Sequence, residues 1–140
     1  MSNPGLPERG ATETPVTEAG GILVVDDDPP IRALLRQIIR RAGHETVEAR
    51  DGLEALERID QALPRMIVLD LMMPRMNGWE VLEALRERGM LGRVPVLVLS
   101  AVAAQRAETL AEYGVHGILG KPFEVGELIE MLRKILDETN

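Results

Sequence analysis

Five short apolar runs alternate with segments of helical periodicity along the chain. The apolar runs cover residues 22–25, 45–49, 66–69, 96–99 and 117–119. Between and after them, apolar positions recur every three or four residues, which is the spacing of an amphipathic helix. This periodicity predicts helices that cover residues 31–39, 52–61, 78–88, 103–113 and 125–136. The pattern therefore predicts strands and helices that alternate five times.

Strands that are apolar on both faces and alternate with helices are typical of a parallel sheet covered on both sides. Five such units in residues 21–140 predict one α/β domain of the flavodoxin-like, doubly wound class. We expect five parallel strands in the order 2-1-3-4-5 and five helices. Residues 1–20 are rich in Pro, Gly, Thr and Glu, and we expect them to form a disordered N-terminal tail.

Composition and charge exclude several kinds of covalent link, metal site and binding partner. The chain has 140 residues, no cysteine and a formal net charge of −7, so disulfides and thiolate metal sites are excluded. An acidic balance argues against nucleic acid or an anionic membrane as partner, and the few aromatic residues cannot form a base-stacking platform. The longest apolar stretch, residues 94–104, is too short to span a bilayer. We expect a soluble, cytoplasmic protein.

Polar side chains follow four of the five apolar runs. Asp26 and Asp27 follow the first run, Asp70 the third, Ser100 the fourth and Lys121 the fifth. Because ligands bind beyond the carboxyl ends of parallel strands, we expect these side chains at one edge of the sheet. Two carboxylates about 4 Å apart repel by about 4 kcal/mol at an effective dielectric near 20, which a divalent cation would offset. Oxygen ligands without His or Cys favour Mg²⁺.

This combination of groups suits phosphoryl transfer. A carboxylate beside Mg²⁺ is a plausible phosphoryl acceptor, and a lysine and a hydroxyl can hold the displaced oxygens. Every residue except Asp70 also has a structural interpretation: Asp26 and Asp27 as helix caps, Ser100 as a satisfied hydroxyl and Lys121 as a surface charge. Asp70 is harder to explain in this way, because a charged residue at the end of a buried strand needs a partner. Asp28, which precedes two prolines, is predicted to be the N-cap of the first helix. The coincidence at four strand ends is what favours a site.

Four segments resemble the receiver domain of bacterial two-component response regulators. They are ILVVDDDPPIR (residues 22–32), IVLDLMMPRMNGWEVL (67–82), PVLVLSA (95–101) and GILGKPF (117–123). Their order and spacing extend the resemblance over the whole chain after the predicted tail. Because the sequence ends four residues after Leu136, we expect a stand-alone receiver similar to the chemotaxis regulators. A piece of a longer regulator is the open alternative.

The resemblance implies a metal site built from four residues. Asp70 corresponds to the phosphoacceptor and ligates Mg²⁺, and Asp27 corresponds to a direct ligand. Asp26 corresponds to a ligand that acts chiefly through bound water, and the backbone carbonyl of Met72 to the third protein ligand.

The resemblance also implies the groups that respond to phosphorylation. Lys121 would pair with the acceptor and then with the phosphoryl group, and the Lys121–Pro122 peptide is expected to be cis. Ser100 occupies the position of the switch hydroxyl. We therefore expect Asp70, Lys121 and Ser100 to carry the reaction.

The implied function is that of a phosphorylated switch rather than an enzyme that turns over small molecules. The donor is expected to be a phosphohistidine of a histidine kinase or of a histidine phosphotransfer protein. The face formed by helix 4, strand 5 and helix 5 would then bind a downstream protein, or the domain would relay the group. We expect a monomer or a phosphorylation-dependent dimer.

Two departures from the family pattern affect this expectation. Ile118 stands three residues before the lysine, where many relatives have Tyr or Phe, so the aromatic rotamer switch is missing. Met72 and Val102 stand where polar residues of relatives help to orient the hydrolytic water. Two apolar side chains there predict slow self-dephosphorylation.

Other charged and titratable residues have open assignments. An arginine stripe on the first helix is predicted to be either a docking patch for an acidic partner or a solvated face. It comprises Arg32, Arg36, Arg40 and Arg41. His44 and His116 lie in predicted turns, and we expect both to face solvent.

Two other functions are disfavoured by the sequence. A Mg²⁺-dependent phosphatase or phosphotransferase acting on small molecules would need an inserted cap segment and a second Asp two residues after Asp70, where Met72 stands. A flavin or nucleotide carrier would need a Gly-rich phosphate loop after the first strand. The sequence at that point is Asp-Asp-Asp-Pro-Pro, which would repel phosphate in the absence of a metal.

Overall fold

The computed structural model describes residues 20–138 of the 140-residue chain. The predicted N-terminal tail over residues 1–20 lies outside this part of the chain, apart from Gly20. Within residues 20–138, no helix has both the length and the apolar character needed to cross a membrane.

A parallel sheet of five strands lies at the centre of the part of the chain that the structure describes. The strands are ordered β2-β1-β3-β4-β5, and each neighbouring pair is parallel. The strands are β1 (Ile22–Val25), β2 (Thr46–Ala49), β3 (Met66–Leu69), β4 (Val96–Ser100) and β5 (Gly117–Gly120). The predicted fold class and strand order are confirmed.

Helices connect the strands and cover both faces of the sheet. They are α1 (Pro29–Arg41), α2 (Gly52–Gln61), α3 (Gly78–Glu87), α4 (Ala107–Glu112) and α5 (Val125–Glu138). The prediction of one continuous helix over residues 103–113 is wrong, because a 3-10 turn, Ala104–Arg106, precedes α4. Only Ala103 and Leu110 of this segment are buried, so few tertiary contacts favour α-helical geometry over the tighter turn.

The sheet separates two apolar cores. Leu23 and Val25 of β1 pack with residues of α2, α3 and α4, whereas Ile22 and Val24 pack with residues of α1 and α5. Successive side chains of a strand point to opposite faces. A strand buried on both faces must therefore be apolar throughout, which is why its sequence shows a run rather than an alternation.

The strand order reverses at β1, whose neighbours are β2 on one side and β3 on the other. The chain leaves β1 toward α1 on one face of the sheet and leaves β3 toward α3 on the other face. Two loops that diverge in this way leave a crevice at the carboxyl ends of the two strands. Asp26, Asp27 and Asp70 directly follow these strands, so the topology directs them to the crevice.

Candidate functional site

Three carboxylates converge at the crevice between β1 and β3. The two strands are paired in register, with Val25 opposite Leu69, so the residues that follow them are neighbours. Carboxylate oxygens of Asp26, Asp27 and Asp70 all lie within 4.8 Å of one another. Asp26 and Asp70 are buried, with 2% and 6% of their surface exposed, whereas Asp27 is open to solvent. Two of the three carboxylates are therefore buried, and the third is exposed.

Asp26 is held by hydrogen bonds on both carboxylate oxygens. Its Oδ1 accepts from the Asp28 N–H (3.0 Å), and its Oδ2 accepts from Lys121 Nζ (2.5 Å). Burial raises the pKa of Asp26 above its ordinary value of 3.8, although both of these hydrogen bonds act in the opposite direction. The negative charge of Asp26 is thus only partly compensated.

Lys121 joins the two buried carboxylates. Its Nζ lies 3.2 Å from Asp70 Oδ2 as well as 2.5 Å from Asp26 Oδ2. Partial burial lowers the pKa of Lys121, but the hydrogen bonds and charges of Asp26 and Asp70 outweigh this effect and raise it. The ammonium group is therefore charged at neutral pH. The Lys121–Pro122 peptide that follows β5 is cis, as predicted.

Ser100 is fully buried at the end of β4, beside this cluster. Its carbonyl accepts a hydrogen bond from the Lys121 N–H (3.3 Å). Its hydroxyl makes only a long contact of 3.5 Å with the Val102 N–H. Among residues 20–138, the hydroxyl forms no hydrogen bond with either buried carboxylate. The structure thus brings Ser100 to the same edge without direct contact with the acidic groups.

The loop after β3 folds back on Asp70. Asp70 Oδ1 accepts from the Met72 N–H (3.3 Å), and the Gly78 N–H donates to the Leu71 carbonyl (3.0 Å). A side chain at Gly78 would place its Cβ 2.3 Å from the Asp70 carbonyl oxygen. Glycine is therefore required at this position by close approach of the backbone.

An open cleft of about 500 Å³ adjoins the cluster on the side of Asp27. Its lining residues are Asp27, Leu71, Met72, Met73, Pro74, Asn77 and Trp79. Met72 is 58% exposed, and it lines this cleft. Two buried carboxylates, one exposed carboxylate and an open side that admits water fit the hard, partly hydrated Mg²⁺ ion better than a thiophilic metal.

Sequence reasoning missed the contact between Asp51 and Arg75. Asp51 is the N-cap of α2, where its Oδ1 accepts from the Glu54 N–H (2.9 Å). Its Oδ2 also accepts from Arg75 Nε (2.8 Å) and from Arg75 Nη2, across 24 positions of the chain. Arg75 has a positive φ of 67°. Nothing in the sequence predicts this backbone conformation, so the contact could not be predicted either.

Asp28 and the two histidines differ in part from expectation. Asp28 occupies the N-cap position of α1, but its side chain makes no capping hydrogen bond, because the two prolines that follow leave fewer amide donors to satisfy. His116 is exposed, as predicted. The prediction for His44 is wrong, because the residue is half-buried with Nδ1 3.3 Å from Arg65 Nη1. Burial and the charge of Arg65 lower the pKa of His44.

Part of the arginine stripe on α1 is engaged within the domain. Arg32 and Arg36 both pair with Glu48 of β2, at 3.4 Å and 2.8 Å. Arg32 also donates to the Asp26 carbonyl (2.7 Å). Arg40 and Arg41 are exposed and form no ion pair with any residue in the range 20–138. Any docking patch is therefore smaller than the sequence suggested.

Trp79 of α3 and Tyr113, which directly follows α4, lie together. The ring centroids of Trp79 and Tyr113 are 6.1 Å apart, and the Arg106 guanidinium carbon lies 5.0 Å from the Trp79 centroid. Tyr113 donates from its hydroxyl to Glu83 (2.7 Å). Ile118 is half-buried on β5 and packs against the core on the α3 side of the sheet. These contacts tie both ends of the α4 segment to α3.

The comparison with protein families agrees with this geometry. The model of the response regulator receiver domain family matches residues 22–133. The chain therefore belongs to the response regulator receiver domain family, and the resemblance inferred from its four segments is confirmed.

Individual relatives support the same assignment. Response regulator MprA of Mycobacterium sp. (strain KMS) is 40% identical over 121 residues, which cover 85% of this chain and 51% of MprA. The chain thus spans about half the length of the curated relatives it matches. The receiver domain of Francisella response regulator 1452 is 34% identical with a TM-score of 0.77, over 85% of this chain and 98% of that one. Response regulator TrrA of Thermotoga maritima, solved in complex with Mg(2+)-BeF, is 30% identical with a TM-score of 0.72, over 81% of this chain and 96% of that one.

Proposed function

We propose that this domain accepts a phosphoryl group on Asp70 in a Mg²⁺-dependent reaction. The donor is a phosphohistidine of a sensor histidine kinase or of a histidine phosphotransfer protein. The observation that carries the proposal is the cluster of three carboxylates within 4.8 Å of one another, with Lys121 in contact with Asp26 and Asp70. Such a cluster is repulsive unless a cation offsets its charge, which favours a metal-assisted reaction over a purely structural role.

Asp26, Asp27, Asp70 and the backbone carbonyl of Met72 would hold the metal. These donors are all oxygens, as Mg²⁺ prefers. When bound, Mg²⁺ would offset the charge of the transferring phosphoryl oxygens. The Mg(2+)-BeF complex of the relative TrrA supports this choice of ion.

Asp70 acts as the nucleophile in this proposal. A carboxylate oxygen of Asp70 attacks phosphorus, the P–N bond to the donor histidine breaks, and the electron pair of that bond returns to the imidazole. Lys121 Nζ, 3.2 Å from Asp70 Oδ2, can then donate to the phosphoryl oxygens. The raised pKa of Lys121 keeps the amine protonated for this role.

Ser100 transmits the change to the surface. Because its hydroxyl makes only a long contact, phosphoryl oxygens on Asp70 offer it a stronger, charge-assisted partner. Inward movement of Ser100 would carry residues 101–105 and shift α4, a segment with few buried side chains. The α4–β5–α5 face then binds a downstream protein, or the phosphoryl group is relayed onward. The domain works in the cytoplasm, as a monomer or a phosphorylation-dependent dimer.

Slow self-dephosphorylation is part of the proposal. Met72 and Val102 present no polar group that orients a hydrolytic water. We expect the double variant Met72→Asn, Val102→Glu to shorten the lifetime of the phosphorylated domain by about tenfold or more, because a positioned polar group assists water attack. Decay of the phosphorylated species in intact-mass spectra measures this lifetime.

A matched control changes two exposed apolar residues elsewhere, Leu53→Asn with Val125→Glu. This control should leave the lifetime unchanged. An unchanged or longer lifetime in the Met72, Val102 double variant would contradict the prediction.

The phosphorylation itself is tested with a small acyl phosphate as donor. We expect the wild-type chain to gain the mass of one phosphoryl group in the presence of Mg²⁺ and no mass in the presence of a chelator. Asp70→Ala should gain none, whereas Asp137→Ala, which changes an exposed acid on α5, should behave as wild type. Equal phosphorylation of Asp70→Ala and wild type would refute the proposal.

A further inference from the structure

An ion pair between the half-exposed Arg75 and the buried Asp51 links the loop after β3 to the start of α2. The side chain of Asp51 is 3% exposed, and that of Arg75 is 54% exposed. Both Nε and Nη2 of Arg75 donate to the same oxygen, Asp51 Oδ2. The other oxygen, Oδ1, is already used to cap α2 through the Glu54 N–H. The capping function therefore does not account for the contact with Arg75.

The ion pair acts on the same loop that shapes the candidate site. Residues 70–77 connect β3 to α3, and the Met72 N–H of this loop donates to Asp70 Oδ1 (3.3 Å). One residue after Arg75, the Met76 carbonyl accepts from the Gly52 N–H (2.9 Å). Two consecutive residues of the loop are thus bonded to two consecutive residues at the start of α2.

The backbone of Arg75 indicates that the side chain contributes to loop geometry. Its φ of 67° lies in the left-handed region, which a residue with a Cβ rarely adopts and which glycine or asparagine would adopt more easily. A strained backbone persists only where surrounding contacts hold it. The bonds from Arg75 to a buried carboxylate provide such a contact.

We propose that Arg75 and Asp51 are positioning residues for the metal site: their ion pair holds the loop in the shape that presents the Met72 carbonyl and the Asp70 carboxylate to Mg²⁺. This inference rests on the proposed function, because it assigns a role in the binding of the same ion. Neither side chain is a ligand in this proposal, and both act through the loop backbone.

Considered only as a charge, Arg75 should weaken Mg²⁺ binding, so its loss should strengthen binding. Removal of a positive charge near an acidic cluster makes the local potential more negative, and by itself this change favours a divalent cation. A positioning role predicts weaker Mg²⁺ binding instead. The direction of the change therefore separates the two explanations.

The experiment is a Mg²⁺ titration of the full chain followed by fluorescence of Trp79, the chain's one tryptophan, which lines the cleft beside Asp27. We expect Arg75→Ala and Arg75→Gly each to raise the Kd for Mg²⁺ by about tenfold, as loss of groups that orient metal ligands does. Asp51→Asn keeps a capping side chain and should weaken binding similarly. Arg88→Ala, which removes a surface pair with Asp60, is the matched control and should leave Kd unchanged.

Arg75→Gly is the decisive variant, because glycine relieves the backbone strain and removes the ion pair together. A wild-type Kd in this variant would mean that backbone conformation alone shapes the loop, and it would overturn the proposal. A lower melting temperature in the Arg75 variants without a change in Kd would also overturn the proposal, because the ion pair would then have a purely stabilising role. Failure of wild type to bind Mg²⁺, measured by calorimetry, would instead refute the proposed function, and this inference with it.

Discussion

Asp26 and Lys121 illustrate how burial and charge oppose each other within a single contact. Burial raises the pKa of Asp26 above its ordinary value even though Lys121 Nζ lies 2.5 Å from its Oδ2. The same contact, together with Asp70, raises the pKa of Lys121. One ammonium group is thus shared between two buried carboxylates, with the exposed Asp27 beside them. The residual negative charge is what makes a divalent cation a favourable occupant.

His44 gives a pH-dependent prediction at the residue scale. Burial and the charge of Arg65 lower its pKa below 6.5 in the folded chain, so the unfolded chain binds more protons at this position. The contribution of His44 to the stability of the fold is therefore complete above its pKa in the unfolded chain. It is lost as the pH falls through 6.5 and then through the pKa of His44 in the folded chain. We expect this loss to be smaller in His44→Gln than in wild type, because glutamine does not titrate.

Urea unfolding at a series of pH values measures this effect. His116→Gln changes the exposed histidine and serves as the control, with the pH dependence of wild type expected. An identical pH dependence in His44→Gln and wild type would contradict the assignment to His44.

The first turns of α3 and α5 differ in whether they can accommodate a side chain in place of glycine. Gly78 and Gly126 both lie in the first turn of a helix, α3 and α5. A Cβ at Gly78 would lie 2.3 Å from the Asp70 carbonyl oxygen, whereas a Cβ at Gly126 would meet no atom within 4 Å. The start of α3 is therefore packed directly on the backbone of the phosphoacceptor candidate.

We expect Gly78→Ala to lower the free energy of unfolding by about 1–3 kcal/mol, the usual cost of an overpacked site. Gly126→Ala should raise it, by up to about 1 kcal/mol, because alanine favours the helix and meets no obstacle. Chemical denaturation of both variants checks this pair. If Gly78→Ala were as stable as Gly126→Ala, the prediction would be wrong, because the loop after β3 would then move to accommodate the added methyl group with no loss of stability.

The elements best predicted from the sequence are those buried on both faces. The predicted runs at 22–25 and 66–69 coincide with β1 and β3, because a central strand of a parallel sheet must be apolar throughout. The edge strand β2 begins one residue later than predicted, at Thr46. The helix predicted over residues 103–113 was wrong because its segment buries only Ala103 and Leu110, so local geometry rather than a core-facing stripe decides its form.

At the scale of the whole molecule, topology explains which part of the site was predictable. A parallel sheet brings the carboxyl ends of its strands to one edge, so the proximity of Asp26, Asp27, Asp70 and Lys121 follows from strand assignment alone. The ion pair of Asp51 with Arg75 joins residues 24 positions apart through a loop with a positive φ. No periodicity specifies such a contact, and only the folded chain displays it.

The most direct test of the central claim locates the phosphoryl group along the chain. The wild-type chain is phosphorylated by a small acyl phosphate with Mg²⁺ and treated with borohydride, which reduces an aspartyl phosphate to homoserine, and its peptides are mapped by mass spectrometry. We predict homoserine in place of Asp70 and at no other position, and none when a chelator replaces Mg²⁺. Modification of Asp26 or Asp27 instead, or an unmodified Asp70 at saturating Mg²⁺, would contradict the account.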